Sequence, residues 1–197
     1  MKKWACIIVS CVLATGLVPA ADSKPAVVKP ALLVMDIQNA YLDNIPEVDR
    51  KAAFQAVNWS LDLFRYFKFP VVVIYHKSAY LGAVPGNEGF KFPATIRIRE
   101  SDPTIIKTHG SAFQDTDLEK MLRDKGINTL FICGMSSVGC VMATYFGAME
   151  RSFRVFTIRD ALICTKPHLK HAAAEILGGL PLGAVQFMLR QAAAARP

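Results

Sequence analysis

Short apolar runs that alternate with helix-periodic stretches constrain this chain more than any other feature of it. Val71-Val-Val-Ile-Tyr75 is a β-branched run short enough to be a central strand buried on both faces, the environment of parallel strands. Residues 31–35, 104–107, 128–133 and 154–158 read as further strands, and a short last strand is expected over 184–187. Between them, Ala53, Val57, Leu61 and Phe64 recur at helical spacing in a helix predicted from about residue 47, just behind Pro46, to 67. Thr116-Asp-Leu-Glu119 reads as a capping box that opens the next helix, which Gly126 ends, and another helix is expected over about 166–177. This alternation predicts an α/β fold: a three-layer α-β-α domain with a largely parallel, Rossmann-like central sheet of about six strands and helices on both faces. At 197 residues, 52% of them hydrophobic, the chain is long enough for one sizeable core and too short for two ordinary domains.

Three of the apolar runs close on a residue that can do chemistry. Residues 31–35 lead to Asp36, residues 104–106 lead to Lys107, and 129–133 run through Gly134-Met-Ser-Ser-Val-Gly into Cys140. Parallel strands deliver such terminal residues to one common edge, where ligands bind in open α/β sheets. If Ser137 caps the helix behind that turn, Cys140 lies in its first turn, where the helix dipole and free N–H groups bias a thiol toward thiolate. Gly139, Ala143 and Gly147 share a face of this helix and are expected to let it approach the sheet closely. Cys133 sits inside a strand with no helix start behind it and reads as core.

The segments Asp36-x-Gln-Asn, Lys107 with Ser111-x-Phe113, and Gly134-x-Ser-Ser-x-x-Cys140-Val141, in this order, resemble the isochorismatase-like cysteine hydrolases, which include nicotinamidases and N-carbamoylsarcosine amidases. The likeness runs from about Pro30 to the last strand, so residues 30–197 form the expected hydrolase domain. Each motif alone is weak; the three together are specific. The resemblance agrees with what the chemistry suggests: Cys140 attacks a carbonyl carbon, Asp36 accepts the thiol proton and passes it to the leaving nitrogen, and Lys107 balances the charges. Backbone N–H groups around Met135, Ser136 and Cys140 would form the oxyanion hole, and the resemblance implies a cis peptide between Met135 and Ser136.

One departure from that family bears on cofactors. Nicotinamidases carry an Asp-x-His pair and a further histidine after the second strand, positioned for a divalent ion. Here the place reads Tyr75-His76-Lys77-Ser78, so neither metal nor cofactor is expected, and nicotinamide is a poor candidate substrate. His168 and His171 share a helix face but lack completing ligands, and Cys164 with His168 lacks a strand-to-helix turn. Asp160 ends a strand without a motif and reads as structural. Tyr41, His76 and Phe113 stand near the edge and are the pocket candidates. The long irregular segment 77–103 reads as a lid and specificity segment, in which Arg97 and Arg99 share a face; a solvated edge is the preferred reading for them over carboxylate recognition.

The N-terminus has the order of a secretory signal peptide: Lys2 and Lys3, an apolar run from Trp4 to Val18, then Val18-Pro-Ala20. Cleavage after Ala20 or Ala21 would leave an extended leader over 21–29 and a secreted, periplasmic protein without stable membrane insertion; lipidation at Cys11 or an uncleaved anchor ranks lower. Loss of residues 1–20 takes the basic residues from 23 to 21 against 16 acids, a net charge of +5 instead of +7. These charges are scattered, with no aromatic-interleaved basic motif, so no nucleic-acid partner is expected. Three cysteines remain, an odd number without Cys-x-x-Cys spacing, which speaks against a thiol-redox protein and leaves open a Cys140–Cys164 disulfide. The sequence thus points to a hydrolase acting on a small amide or related C–N bond. The alternatives are an isochorismatase-type vinyl-ether hydrolase and a non-catalytic periplasmic binding protein of the same fold. The resemblance also implies a homo-oligomer.

Overall fold

In the computed structural model, residues 27–196 are described; the expected signal peptide and most of the expected leader lie outside them. Six strands, β1 (Pro30–Met35), β2 (Val71–His76), β3 (Thr104–Lys107), β4 (Thr129–Gly134), β5 (Arg154–Leu162) and β6 (Gly179–Leu180), form one parallel sheet in the order β3-β2-β1-β4-β5-β6. Five helices cover it: α1 (Glu47–Tyr66), α2 (Leu118–Asp124), α3 (Cys140–Glu150), α4 (Pro167–Ile176) and α5 (Leu182–Ala194). All six residues of β1 are buried, as a strand in the middle of a parallel sheet must be.

Alternate side chains of β1 feed two cores. Leu32 and Val34 pack with Phe131 and Cys133 of β4 against Val57, Leu61 and Phe64 of α1 and Val185 and Leu189 of α5. Leu33 and Met35 face the other way, onto Leu118 and Leu122 of α2, Val141 and Ala148 of α3 and Ala173 of α4. The three-layer expectation is met, and the stripe predicted on α1 is the one buried.

Three local expectations are corrected. Residues 184–187 are helical, not a strand: Pro181 precedes α5, and Val185, Leu189 and Ala192 recur at helical spacing on its buried side while Phe187 faces solvent. The last strand is the two-residue β6 instead. Strand β5 does not stop at Ile158 but shifts register against β4 and continues to Leu162, which leaves Asp160 exposed within it. The capping box is half formed, since the Thr116 hydroxyl accepts the Leu118 N–H at 3.3 Å whereas Glu119 turns outward to Arg123 and Arg151.

The segment 77–103 is a strap tied to the body, not a lid. Asn58 of α1 donates to the Thr95 carbonyl at 2.7 Å and accepts the Arg97 N–H at 2.8 Å. Arg65 pairs with Asp102 at 2.5 Å, Phe92 and Ile96 are buried, and Phe90 stacks on Tyr75. A turn closed by the Ser78–Ala83 bridge carries the exposed Tyr80 and Leu81.

Candidate active site

The strand order reverses between β1 and β4, and the crevice beyond the carboxyl ends of two such strands is where open α/β sheets bind ligands. Asp36 and the turn leading to Cys140 follow those two strands. Asp36 adopts a left-handed conformation (φ 54°), which an aspartate tolerates better than most residues, while its N–H still donates to the Ile74 carbonyl at 2.9 Å. Gly134 has φ 110°, and a Cβ there would lie 2.1 Å from the Met35 carbonyl oxygen. Only glycine lets the end of β4 close onto the end of β1 in this way. The Met135–Ser136 peptide is cis, in agreement with the resemblance.

Ser137 does not cap the helix. Its N–H donates to the Ile163 carbonyl at 2.9 Å and its side chain is fully buried without a hydrogen bond, so α3 starts directly behind Gly139 with Cys140 as its first residue. The oxyanion expectation is narrowed as well. The Met135 N–H is spent on the Met35 carbonyl at 3.0 Å, whereas those of Ser136 and Cys140 have no acceptor among the described residues. Of the stripe, Ala143 and Gly147 meet not the sheet but the loop after β3, where a Cβ at Gly147 would lie 2.7 Å from the Ser111 hydroxyl, while Gly139 lies against Ser136 of its own turn.

Lys107, the last residue of β3, is 1% exposed, and its Nζ lies 2.9 Å from Oδ2 of the equally buried Asp36 and donates to the His109 carbonyl at 3.1 Å. The Cys140 Sγ lies 3.6 Å from Nδ1 of His76, and the donor atoms of Asp36, His76 and Cys140 all fall within 4.8 Å of one another. His76 is held by its backbone: its N–H donates to Gln38 Oε1 at 2.7 Å and its carbonyl accepts the Tyr41 hydroxyl at 2.9 Å. Sequence reasoning gave Gln38 no role, although it stands in the Asp36-x-Gln-Asn motif. Its complete burial is the physical reason that a polar residue at this position matters.

Burial pushes the Asp36 carboxyl up to about 6, with Lys107 pulling it back down. Burial, and then the Asp36 charge, push the Cys140 thiol up to about 11 against the opposing pull of Lys107. The expectation of a resting thiolate is therefore overturned, because desolvation and the neighbouring carboxylate outweigh the helix start. Burial and the Lys107 charge lower His76, and burial with the charges of Asp36 and Cys140 raises Tyr41 to about 12, which keeps its hydroxyl a donor. Burial and mutual repulsion disfavour two negative charges side by side, so the Asp36–Cys140 pair shares a proton and titrates as a unit.

Several sequence candidates fall elsewhere. Phe113 does not join the cluster around Cys140; it is buried, stacks on Phe153 with ring centroids 5.8 Å apart, and lines a separate groove with Ser111, Ala143 and Gly147. Arg97 pairs with Asp62, late in α1, and so lies toward the amino-terminal edge of the sheet, while Arg99 is exposed. His168 and His171 are exposed on α4. Cys133, Cys140 and Cys164 are all free thiols, so the Cys140–Cys164 disulfide is not formed. A groove of about 550 Å³ between α1 and the strap, lined by Asn39, Arg50, Phe54 and Thr95 among others, shares no residue with the cluster around Cys140.

Against known proteins, the chain is 30% identical over 145 residues to streptothricin hydrolase of Streptomyces noursei, a match covering 69% of this chain and 56% of that one. The solved pyrazinamidase of Pyrococcus horikoshii in complex with zinc superposes with a TM-score of 0.67 at 26% identity, over 76% of this chain and 94% of its own. A resident metal of the nicotinamidase type does not fit the residues present. Among the described residues a single group of three metal-competent side chains clusters, Asp36, His76 and Cys140, and an ion there would consume the thiol itself. The chain is also 32% identical over 142 residues to the isochorismatase family protein YddQ of Bacillus subtilis, covering 68% of this chain and 78% of that one. With residues 30–184 matching the isochorismatase domain and the topology agreeing with it, the chain belongs to the isochorismatase family of hydrolases.

Proposed function

We propose that this protein is a cysteine amidohydrolase that cleaves a small amide or related C–N bond through a thioester on Cys140. The observation that carries the reading is the convergence of a carboxylate, an ammonium and a thiol from the ends of β1, β3 and β4, with Lys107 Nζ 2.9 Å from Asp36 Oδ2 and Cys140 Sγ in the same cluster. The Cys140 sulfur forms a bond to the carbonyl carbon as its proton passes to Asp36, and the oxyanion meets the N–H groups of Ser136 and Cys140. Collapse breaks the C–N bond, and Asp36 returns the proton to the departing nitrogen. Water then gives a proton to Asp36, attacks the thioester carbon and releases the acid, and the proton goes back to sulfur. An Asp36 near 6 is matched to this exchange at neutral pH, and Lys107 keeps it ionised inside the protein.

Intact-mass analysis during turnover of a panel of small amides tests the reading. Release of ammonia or amine with a transient acyl adduct on Cys140, both lost in Cys140→Ala, is the expected result; release that persists in Cys140→Ala overturns it. Export to the periplasm and self-association are further proposals. Cell fractionation with N-terminal sequencing of the mature chain checks the first, and light scattering checks the second.

A further inference from the structure

We propose that Cys140, His76 and Asp36 form a binding site for a thiophilic divalent cation such as Zn²⁺ or Cd²⁺, and that occupancy reversibly switches the enzyme off. The geometry of the thiol–imidazole pair carries the argument. On a tetrahedral zinc ion, bonds of about 2.3 Å to sulfur and about 2.0 Å to imidazole nitrogen hold the two ligand atoms about 3.5 Å apart. Cys140 Sγ and His76 Nδ1 are 3.6 Å apart.

The third ligand is at hand. Asp36 Oδ2 faces Lys107 at 2.9 Å, while the buried Oδ1 has no hydrogen-bond partner among the described residues. An ion can therefore take Oδ1 without displacing the ammonium. A carboxylate oxygen of Asp36 lies within 4.8 Å of the other two donor atoms, and a side-chain shift of about 1.5 Å or less brings it to tetrahedral spacing. One thiolate and one carboxylate bring two negative charges to the ion, the second shared with the Lys107 ammonium, and a fourth position remains for water. Sulfur and nitrogen donors select zinc and cadmium over magnesium or calcium.

The step is a ligand exchange without redox change: the Cys140 S–H bond breaks, a sulfur–metal bond forms, and one proton passes to the buffer. The ion occupies both the sulfur that attacks and the carboxylate that accepts its proton, so it is an inhibitor and not a cofactor. That consequence rests on the hydrolase reading; the binding does not.

The test uses the mature chain, freed of metal by a chelator, and Cd²⁺ alone. Thiolate-to-cadmium absorption saturating at one equivalent is expected, with one proton released per ion and Cys140 protected from iodoacetamide. His76→Gln retains the backbone contacts to Gln38 and Tyr41 and should weaken binding by about tenfold or more. Cys140→Ser should abolish the absorption, and excess Mg²⁺ should leave it unchanged. Absence of a saturable signal, equal affinity in His76→Gln, or a signal that survives in Cys140→Ser each overturns the site. If His76→Gln does not fold, X-ray absorption of the zinc-loaded wild-type chain decides: one sulfur with imidazole and oxygen supports the site, and a shell without sulfur or without imidazole overturns it. Cadmium binding without amide turnover would retire the hydrolase reading and leave the site standing. Turnover that needs Cys140, without cadmium binding, would do the reverse.

Discussion

Cys133 and Cys140 stand at the two ends of one turn, and the regions around them show what separates a structural thiol from a usable one. Cys133 lies inside β4, among the apolar side chains that face α1 and α5, and burial alone pushes its thiol far above the ordinary range. Cys140 opens α3 and is also pushed up, yet Asp36 and His76 lie beside it and Lys107 lies beside Asp36. Both sulfurs are protonated at rest. The difference is that the proton on Cys140 has an acceptor within reach and the proton on Cys133 has none. On the proposed mechanism, reactivity comes from an adjacent base, not from a thiol that is ionised beforehand.

The largest effect that bears on this contrast is deletion of each sulfur. Cys140→Ala should lower kcat by about 10⁴-fold or more, whereas Cys133→Ala should leave it within about twofold. Comparable losses in steady-state assays of the two variants would erase the contrast. Next is the acceptor: Asp36→Asn should cost about 10²- to 10⁴-fold in kcat/KM. In wild type, measured in chelator-treated buffer, kcat/KM should fall as pH drops through about 6, because protonating Asp36 removes the acceptor. The same acid limb persisting in Asp36→Asn would assign it to another group.

Lys107→Ala leaves a carboxylate buried without its counter-ion and should destabilise the fold by about 3–5 kcal/mol in urea titrations. It should also move the acid limb to higher pH, because the charge that holds Asp36 down is gone. Alkylation by iodoacetamide should slow at Cys140 and stay unchanged at Cys133. The smallest expected effect is the stability cost of Cys133→Ala, about 1 kcal/mol for a small void among well-packed neighbours, readable as a shift in Tm.

Much of this architecture is legible in the chain because parallel strands have a plain signature. The run at 71–75, the stripe on α1 and the chemistry-bearing residues at strand ends needed no tertiary information. What escaped depends on distant partners. Residues 184–187, with Val185 and Phe187 alternating around Gln186, have the length and pattern of a strand, and only Pro181 and the wider spacing of Val185, Leu189 and Ala192 mark the helix. The strap looked like a lid because Gly and Pro punctuate it, while the residues that tie it down, Asn58 and Arg65, lie in α1. The Ser137 cap and the resting thiolate were inferred from local rules. Burial reversed both, with Ser137 turned inward and Cys140 set against a carboxylate, and burial is not a local property. Phe113 lies close in sequence to the site and is drawn into the core by Phe153.

The pairing of β1 with β4 joins Pro30 to Thr129 and Met35 to Gly134, partners half the chain apart. Contacts so remote in sequence make a domain slow to assemble. Until that ladder closes, Asp36 and Cys140 share no environment, and a partly folded chain carries an ordinary thiol. On the proposed mechanism, nucleophilicity is therefore acquired only when the middle of the sheet zips shut. A chain still being synthesised carries no assembled site, and stopped-flow labelling during refolding would time the birth of the site against the recovery of the sheet.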